Sequence, residues 1–206
     1  MVNNIDRIGH MIGFDDEFDF YFVQILKRRK DNPGLARDMV VITNYHIESF
    51  EQYNSLMPHI INMCNAENAR AYLNINKRNY KHLSFHMLKR VVEVISSGMV
   101  KSLKGTFDSV CGKHHNDKDK KWIVDIDDDL LHSFDNPDGY FEEEIVSLLR
   151  QLQSDTKKEP MIEILPTRNG YHYITRPFNL KVFKDTFPKI DVHKDNPTLL
   201  YCPLIW

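Results

Sequence analysis

The chain has 206 residues, 42% of them hydrophobic and 27% charged, within ordinary globular usage and enough for one substantial core. Its 27 basic and 29 acidic residues give a formal net charge of -2, which excludes a protein that holds nucleic acid by bulk charge and leaves room only for a local basic groove. Three widely spaced cysteines, no long apolar run and an N-terminus (MVNNIDRIGH) with neither basic leader nor apolar signal region exclude a disulfide framework and a membrane span, and read as an intracellular, cytoplasmic chain with no membrane partner.

FDFYFVQIL (18–26) is aromatic and β-branched, as strands are, and its basic end KRRKDNPG (27–34) closes on a turn signal. DMVVITNYHI (38–47) reads as a second strand. Ser49 opens S-F-E-Q, a capping-box spacing with Gln52 in the third helical position, ahead of a helix to about Cys64. In ARAYLNINKR, Ala71, Leu73 and Ile75 fall on one face and Tyr72, Asn74 and Asn76 on the other, a half-buried strand with Lys77 and Arg78 at its exit. SFHMLKRVVEVISSG (84–98) has apolar residues at three- and four-residue spacing and a terminal glycine, so it reads as a helix.

KHHNDKDKK (113–121) reads as a polar loop, and Cys111, His114 and His115 beside it lack the paired C-x-x-C spacing of a structural zinc site. WIVDID is a strand, and YFEEEIVSLLRQLQ (140–153) is a helix whose glutamates suit the positive end of its dipole. MIEILPTRNGYHYITRPF reads as a hairpin, VFKDTF as a short helix and TLLYCPLI as a last strand. Strands interleaved with helices, without repeat or linker, predict one α+β domain over residues 1–206, an α/β sandwich.

Within KWIVDIDDD, alternation points Trp122, Val124 and Ile126 one way and Ile123, Asp125 and Asp127 the other. Two carboxylates on one surface stay ionised together when a cation or basic group neutralises them, and hard divalent ions prefer such oxygen ligands. Acidic runs are usually solvated strand exits, and the apolar WIV directly before this one weakens that reading. In the hairpin, Asn169-Gly170 predicts a two-residue type I′ turn, which would set Arg168 opposite Tyr171, Thr167 opposite His172 and Glu163 opposite Arg176. A histidine beside a hydroxyl and a basic residue suits contact with phosphate oxygens.

With these two pieces in this order, the chain resembles the catalytic domain of the archaeo-eukaryotic primase superfamily, which includes primase small subunits and the primase-polymerases of viruses and plasmids. The family's first motif, an apolar strand ending in Asp-x-Asp/Glu, is matched by IVDID with Asp125 and Asp127. Its second, a small residue or glycine shortly before a histidine in a hairpin, is matched by TRNGYH with His172. Its third, an apolar residue followed by an acid, has Ile190-Asp191 as its match and Asp195 as a competitor. The resemblance covers about residues 70–206, and TLLYCP stands where an arginine-rich stretch often follows the third motif.

The resemblance implies an RRM-like core with an antiparallel or mixed sheet and flanking helices. It implies metal-dependent synthesis or extension of oligonucleotides on a template in DNA replication, with Asp125, Asp127 and Asp191 as catalytic residues holding Mg²⁺ or Mn²⁺. His172 would orient the nucleoside triphosphate, with Arg168, Thr167, Lys77 and Arg78 as further nucleotide or template contacts. Implied partners are a single-stranded DNA template and a helicase or accessory primase subunit. The departure after the third motif keeps open a primase-like nucleotide or nucleic-acid binding protein without turnover. IVDIDDDLL also looks like the nucleophile strand of haloacid-dehalogenase phosphatases, but that family sets the motif near the start of its catalytic core and expects Thr or Val where Asp129 stands.

Overall fold

The computed structural model describes residues 1–115, 119–129, 140–154 and 159–204. Its strands sort into two antiparallel sheets. The first contains β1 (Val2–Asn3), β2 (Asp19–Arg28), β3 (Met39–Ile47), β4 (Arg70–Asn74), β5 (Arg78–Asn79) and β10 (Pro197–Cys202). Its order is β1-β10-β4-β2-β3, with β5 paired to β2. The second contains β6 (Trp122–Asp127), β7 (Ile162–Pro166), β8 (Gly170–Thr175) and β9 (Asp191–His193), in the order β7-β8-β6-β9. With α1 (Ile5–Met11), α2 (Phe50–Glu67), α3 (Tyr80–Ser96), α4 (Thr106–Cys111), α5 (Tyr140–Ser154) and α6 (Leu180–Thr186), the chain is an α+β protein, as its mixed periodicities predict. No helix among the described residues is long and apolar enough to cross a membrane.

The capping signal at Ser49 is used: its hydroxyl accepts from the Gln52 amide at 3.1 Å, while the Gln52 side chain accepts from the Glu48 amide at 2.7 Å. Helix α2 passes the predicted end at Cys64 and stops at Asn68, whose φ of 47° is the left-handed conformation that closes a helix. Its Tyr53, Met57, Ile60 and Cys64 pack with Val23, Ile25, Ala71 and Leu73 of the first sheet. The same cluster takes in Ile123, Leu165 and Ile174 of the second sheet, so the two sheets share one core.

The second sheet and its helices run β6-α5-β7-β8-α6-β9, with β6 and β8 in the centre. Trp122, Val124, Ile126 and Tyr173 pack against Ile145 and Leu149 of α5 and Phe183 of α6. One face of β6 is thus covered by helices, as its alternation predicts. The other carries Ile123 into the shared core and leaves Asp125 and Asp127 uncovered by helix.

The hairpin forms with a different turn from the predicted one. Leu165 pairs with His172, Pro166 with Tyr171 and Glu163 with Ile174, so Thr167 does not face His172 and Glu163 does not face Arg176. Asn68 is the one non-glycine residue at positive φ among those described, so Asn169 does not adopt the type I′ conformation. Gly170 instead belongs to β8, pairs with Asp127, and has φ 143°. A Cβ on it would lie 2.0 Å from the Ile126 carbonyl oxygen. The glycine therefore serves the close approach of β8 to β6, and the turn moves back to accommodate it. The shift is two residues, which preserves parity between β7 and β8, while His172 shares the face of Asp125 because the two are paired across β8 and β6.

Candidate functional site in the cleft between the sheets

Strand pairing builds the site from the centre of the second sheet. His172 on β8 and Asp191 on β9 are both the register partners of Asp125. The His172 ring is fixed through Nδ1, 2.9 Å from the hydroxyl of the buried Thr198 on β10, which leaves Nε2 3.4 Å from Asp125 Oδ1. On the other side, His193 Nε2 stands 3.7 Å from Asp125 Oδ2. Burial alone would push the Asp125 carboxyl up; the hydrogen bond and charge of His172, then those of His193, outweigh it and hold the group below the ordinary carboxylate range. Asp127 shifts the other way, raised by burial and by the charges of Asp125 and Asp129 against the pull of Lys30.

Across from these carboxylates lies a cationic wall. Arg28 and Lys30 come from the end of β2 and the turn beyond it, Arg70 and Tyr72 from β4, and Arg168 from the hairpin tip. The cleft holds about 260 Å³, less than the roughly 300–1,000 Å³ of enclosed small-molecule pockets, so a nucleotide-sized ligand would project from it. Asp31 accepts from Arg70 Nε at 2.7 Å and Nη2 at 2.8 Å and also pairs with Arg168, tying the hairpin tip to the first sheet. Arg28 and Lys30 make no ion pair among the described residues. Burial, then the charges of Arg70, Arg28 and Arg168, lower the Lys30 ammonium against the pull of Asp127.

Of the residues expected from sequence, the structure brings Asp125, Asp127, His172, Thr167 and Arg168 to this one cleft. Asp191 is adjacent in register, but its side chain is 76% exposed and lies 3.6 Å from Lys184, outside the cleft lining. Its competitor Asp195 is the counter-ion of Arg78, at 3.0 Å, and also accepts from Asn76 at 3.1 Å.

Lys77 and Arg78 do not reach the cleft. Lys77 pairs with Asp15 and, at 2.8 Å, with Asp19. Arg78 is fully buried and donates to the Cys111 carbonyl at 2.8 Å as well as to Asp195. The reason is topological: β5 pairs with Asp19 and Phe20, the opposite end of β2 from Arg28. At about 3.3 Å per residue that separation is on the order of 25 Å. Cys111 is buried, His114 stacks on His86 at 3.7 Å, and His115 pairs with Asp195 at 3.1 Å.

Arg28, Lys30, Arg70, Tyr72 and His193 line the cleft without having been singled out from sequence. Signals for them existed. The KRRK run at 27–30 closes a strand, alternation sets Arg70 and Tyr72 opposite Ala71 and Leu73, and His193 follows Asp191 at the two-residue period of a strand.

No protein-family model, curated protein or solved structure matches this chain.

Proposed function

We propose that the chain is a metal-dependent nucleotidyltransferase of the primase-polymerase type, making or extending oligonucleotides on a single-stranded template. The observation that carries this reading is the pair Asp125 and Asp127 on one face of β6, beside the Thr198-anchored His172 and across the cleft from Arg28, Lys30, Arg70 and Arg168. Anionic groups on one wall and cationic groups on the other suit a ligand that is itself both, a polyphosphate carrying a divalent ion. The order β6-α5-β7-β8-α6-β9, with both helices on one face, supports reading the second sheet as the RRM-like core of such enzymes.

The donor set fits Mg²⁺ or Mn²⁺. Asp125 and Asp127 supply hard oxygen ligands, and the burial and neighbouring carboxylates that raise Asp127 disfavour a bare charge that a cation would neutralise. Among the described residues no three His, Cys, Asp or Glu side chains converge to hold an ion unaided, so water and phosphate oxygens would complete its coordination. When bound, the ion would supply activation of the attacking hydroxyl and neutralisation of charge at the α-phosphate. Arg28 and Lys30 would take the β- and γ-phosphates, and His172, held by Thr198, would orient the triphosphate.

Isothermal titration of Mn²⁺ and a nucleoside triphosphate into the full chain tests the reading, together with extension of a labelled primer on a single-stranded template at low ionic strength. Wild type binds the nucleotide in a metal-dependent way and extends the primer, and Asp125→Asn loses extension by at least a hundredfold. Absence of metal-dependent nucleotide binding in wild type would sink the proposal. A second reading, a nucleotide or nucleic-acid binding accessory protein without turnover, is favoured by the position of Asp191 beside Lys184 outside the cleft. Metal-dependent binding with no product, even with a helicase or accessory subunit added, would select it.

A further inference from the structure

Helix α3 carries two apolar stripes where a surface helix needs one. Leu83 and Val94 are buried, and Leu83, with Met87 packed alongside, lies over Phe20, Phe22 and Val110. Phe85, Leu88, Val92 and Ile95 form the second stripe, centred about 140° around the helix from the first at 100° per residue. They are 77%, 65%, 56% and 54% exposed, and Met99 extends the line past the turn at Gly98 (φ 72°) at 51%. A contiguous row of exposed large apolar side chains marks an interaction site.

The shape and charge of the stripe select its occupant. Spacings of three, four, three and four are the a and d positions of a helix-pairing seam, and the four helical members span only about 80° of arc. Lys89 and Ser96 bound it on one side and Ser84 with the half-buried Val91 on the other, so its exposed part is narrower than the broad apolar face with which a helix lies in a membrane surface. The segment from 80 to 105 holds five basic residues, Lys81, Lys89, Arg90, Lys101 and Lys104, against one acid, Glu93, in a chain of net charge -2. Glu93 is engaged by Arg90 at 3.1 Å, which leaves Lys89 on one flank and lysines at both ends uncompensated by it. A second copy of the chain would set this basic surface against itself, because an isologous contact uses the same patch twice. We infer that the outer face of α3 docks an amphipathic helix of another protein, apolar at its a and d positions and acidic on the flanking ones.

The test uses the full chain and a fluorescently labelled 28-residue peptide of four heptads with Leu at a and d and Glu at e and g. A matched peptide with Lys at e and g serves as comparison. Anisotropy at low ionic strength should show binding of the acidic peptide, at least tenfold weaker binding of the basic one, and weakening by added salt. Leu88→Ser with Ile95→Ser should cut acidic-peptide affinity at least tenfold while circular dichroism and the melting temperature stay unchanged, since both side chains are exposed. Lys89→Glu should shift preference toward the basic peptide. The inference is overturned if the acidic peptide does not bind, if the double variant binds it as wild type does, or if both peptides bind equally. It is also overturned if sedimentation reveals a dimer that the double variant abolishes, or if anionic vesicles compete the peptide away. None of these outcomes depends on the chemistry of the cleft.

Discussion

Asp125 and Asp127 lie two residues apart on one strand face and are driven in opposite directions by their neighbours. His172 and His193 hold Asp125 below the ordinary carboxylate range, so its ionised form favours the folded state. That contribution is present above the carboxyl's unfolded value and is lost as pH falls through the depressed folded one. Asp127 is raised, so its ionisation opposes folding once the pH exceeds its unfolded value. Asp125→Asn should therefore lower the melting temperature at pH 7, and Asp127→Asn should raise it. Both differences should shrink as pH falls through the carboxylate range, because the wild-type groups then carry protons too. Melting curves between pH 3 and pH 7 check this, and equal effects of the two substitutions would refute the opposed environments. A stabilising loss of charge is what a site kept for a cation predicts.

At the scale of the element, the hairpin separates two meanings of one glycine. In a type I′ turn, Asn169 and Gly170 would share the need for positive φ. In the observed register only Gly170 needs it, and its hydrogen atom faces the Ile126 carbonyl where no Cβ fits. Gly170→Ala should cost about 2 kcal/mol or more, whereas Asn169→Ala at the exposed tip should cost less than about 0.5 kcal/mol. Urea denaturation measures both. Comparable losses would restore the two-residue turn. Since Gly170 pairs with Asp127, the first substitution should also weaken ligand binding in the cleft by displacing β8 and His172 from β6.

At the scale of the molecule, the cleft exists because the sheets are held together in two ways. Ile123, Leu165 and Ile174 share a core with Ala71, Leu73 and Leu200, and Asp31 joins Arg70 of the first sheet to Arg168 of the second sheet's hairpin. The Asp31 and Arg70 side chains are 0% and 5% exposed. Removing one partner of a buried pair leaves the other charge uncompensated, so Asp31→Ala should cost about 3 kcal/mol. Urea unfolding followed through tryptophan fluorescence should give one transition for wild type and for the variant. Two separated transitions would mean that the sheets do not share a core.

Local pattern was enough to read the carboxylate face of β6 and the helix cap at Ser49. Each depends on backbone periods of 2 or 3.6 residues, or on a side chain bonding its own backbone three residues away. Periodicity also found α3 but could not tell which of its apolar residues are covered, since that depends on what packs beside it. The cationic wall was beyond reach for a related reason. Arg28, Arg70 and Arg168 are separated by 42 and 98 residues in the chain and meet only through the pairing of β2 with β4 and the closure of the hairpin onto Asp31. By the pairing of β5 with the other end of β2, Lys77 and Arg78 lie far from the cleft, where their charges are met by Asp19 and Asp195. Sequence determined which residues carry charge and which face of a strand presents them; strand order alone decided which charges face one another across the cleft.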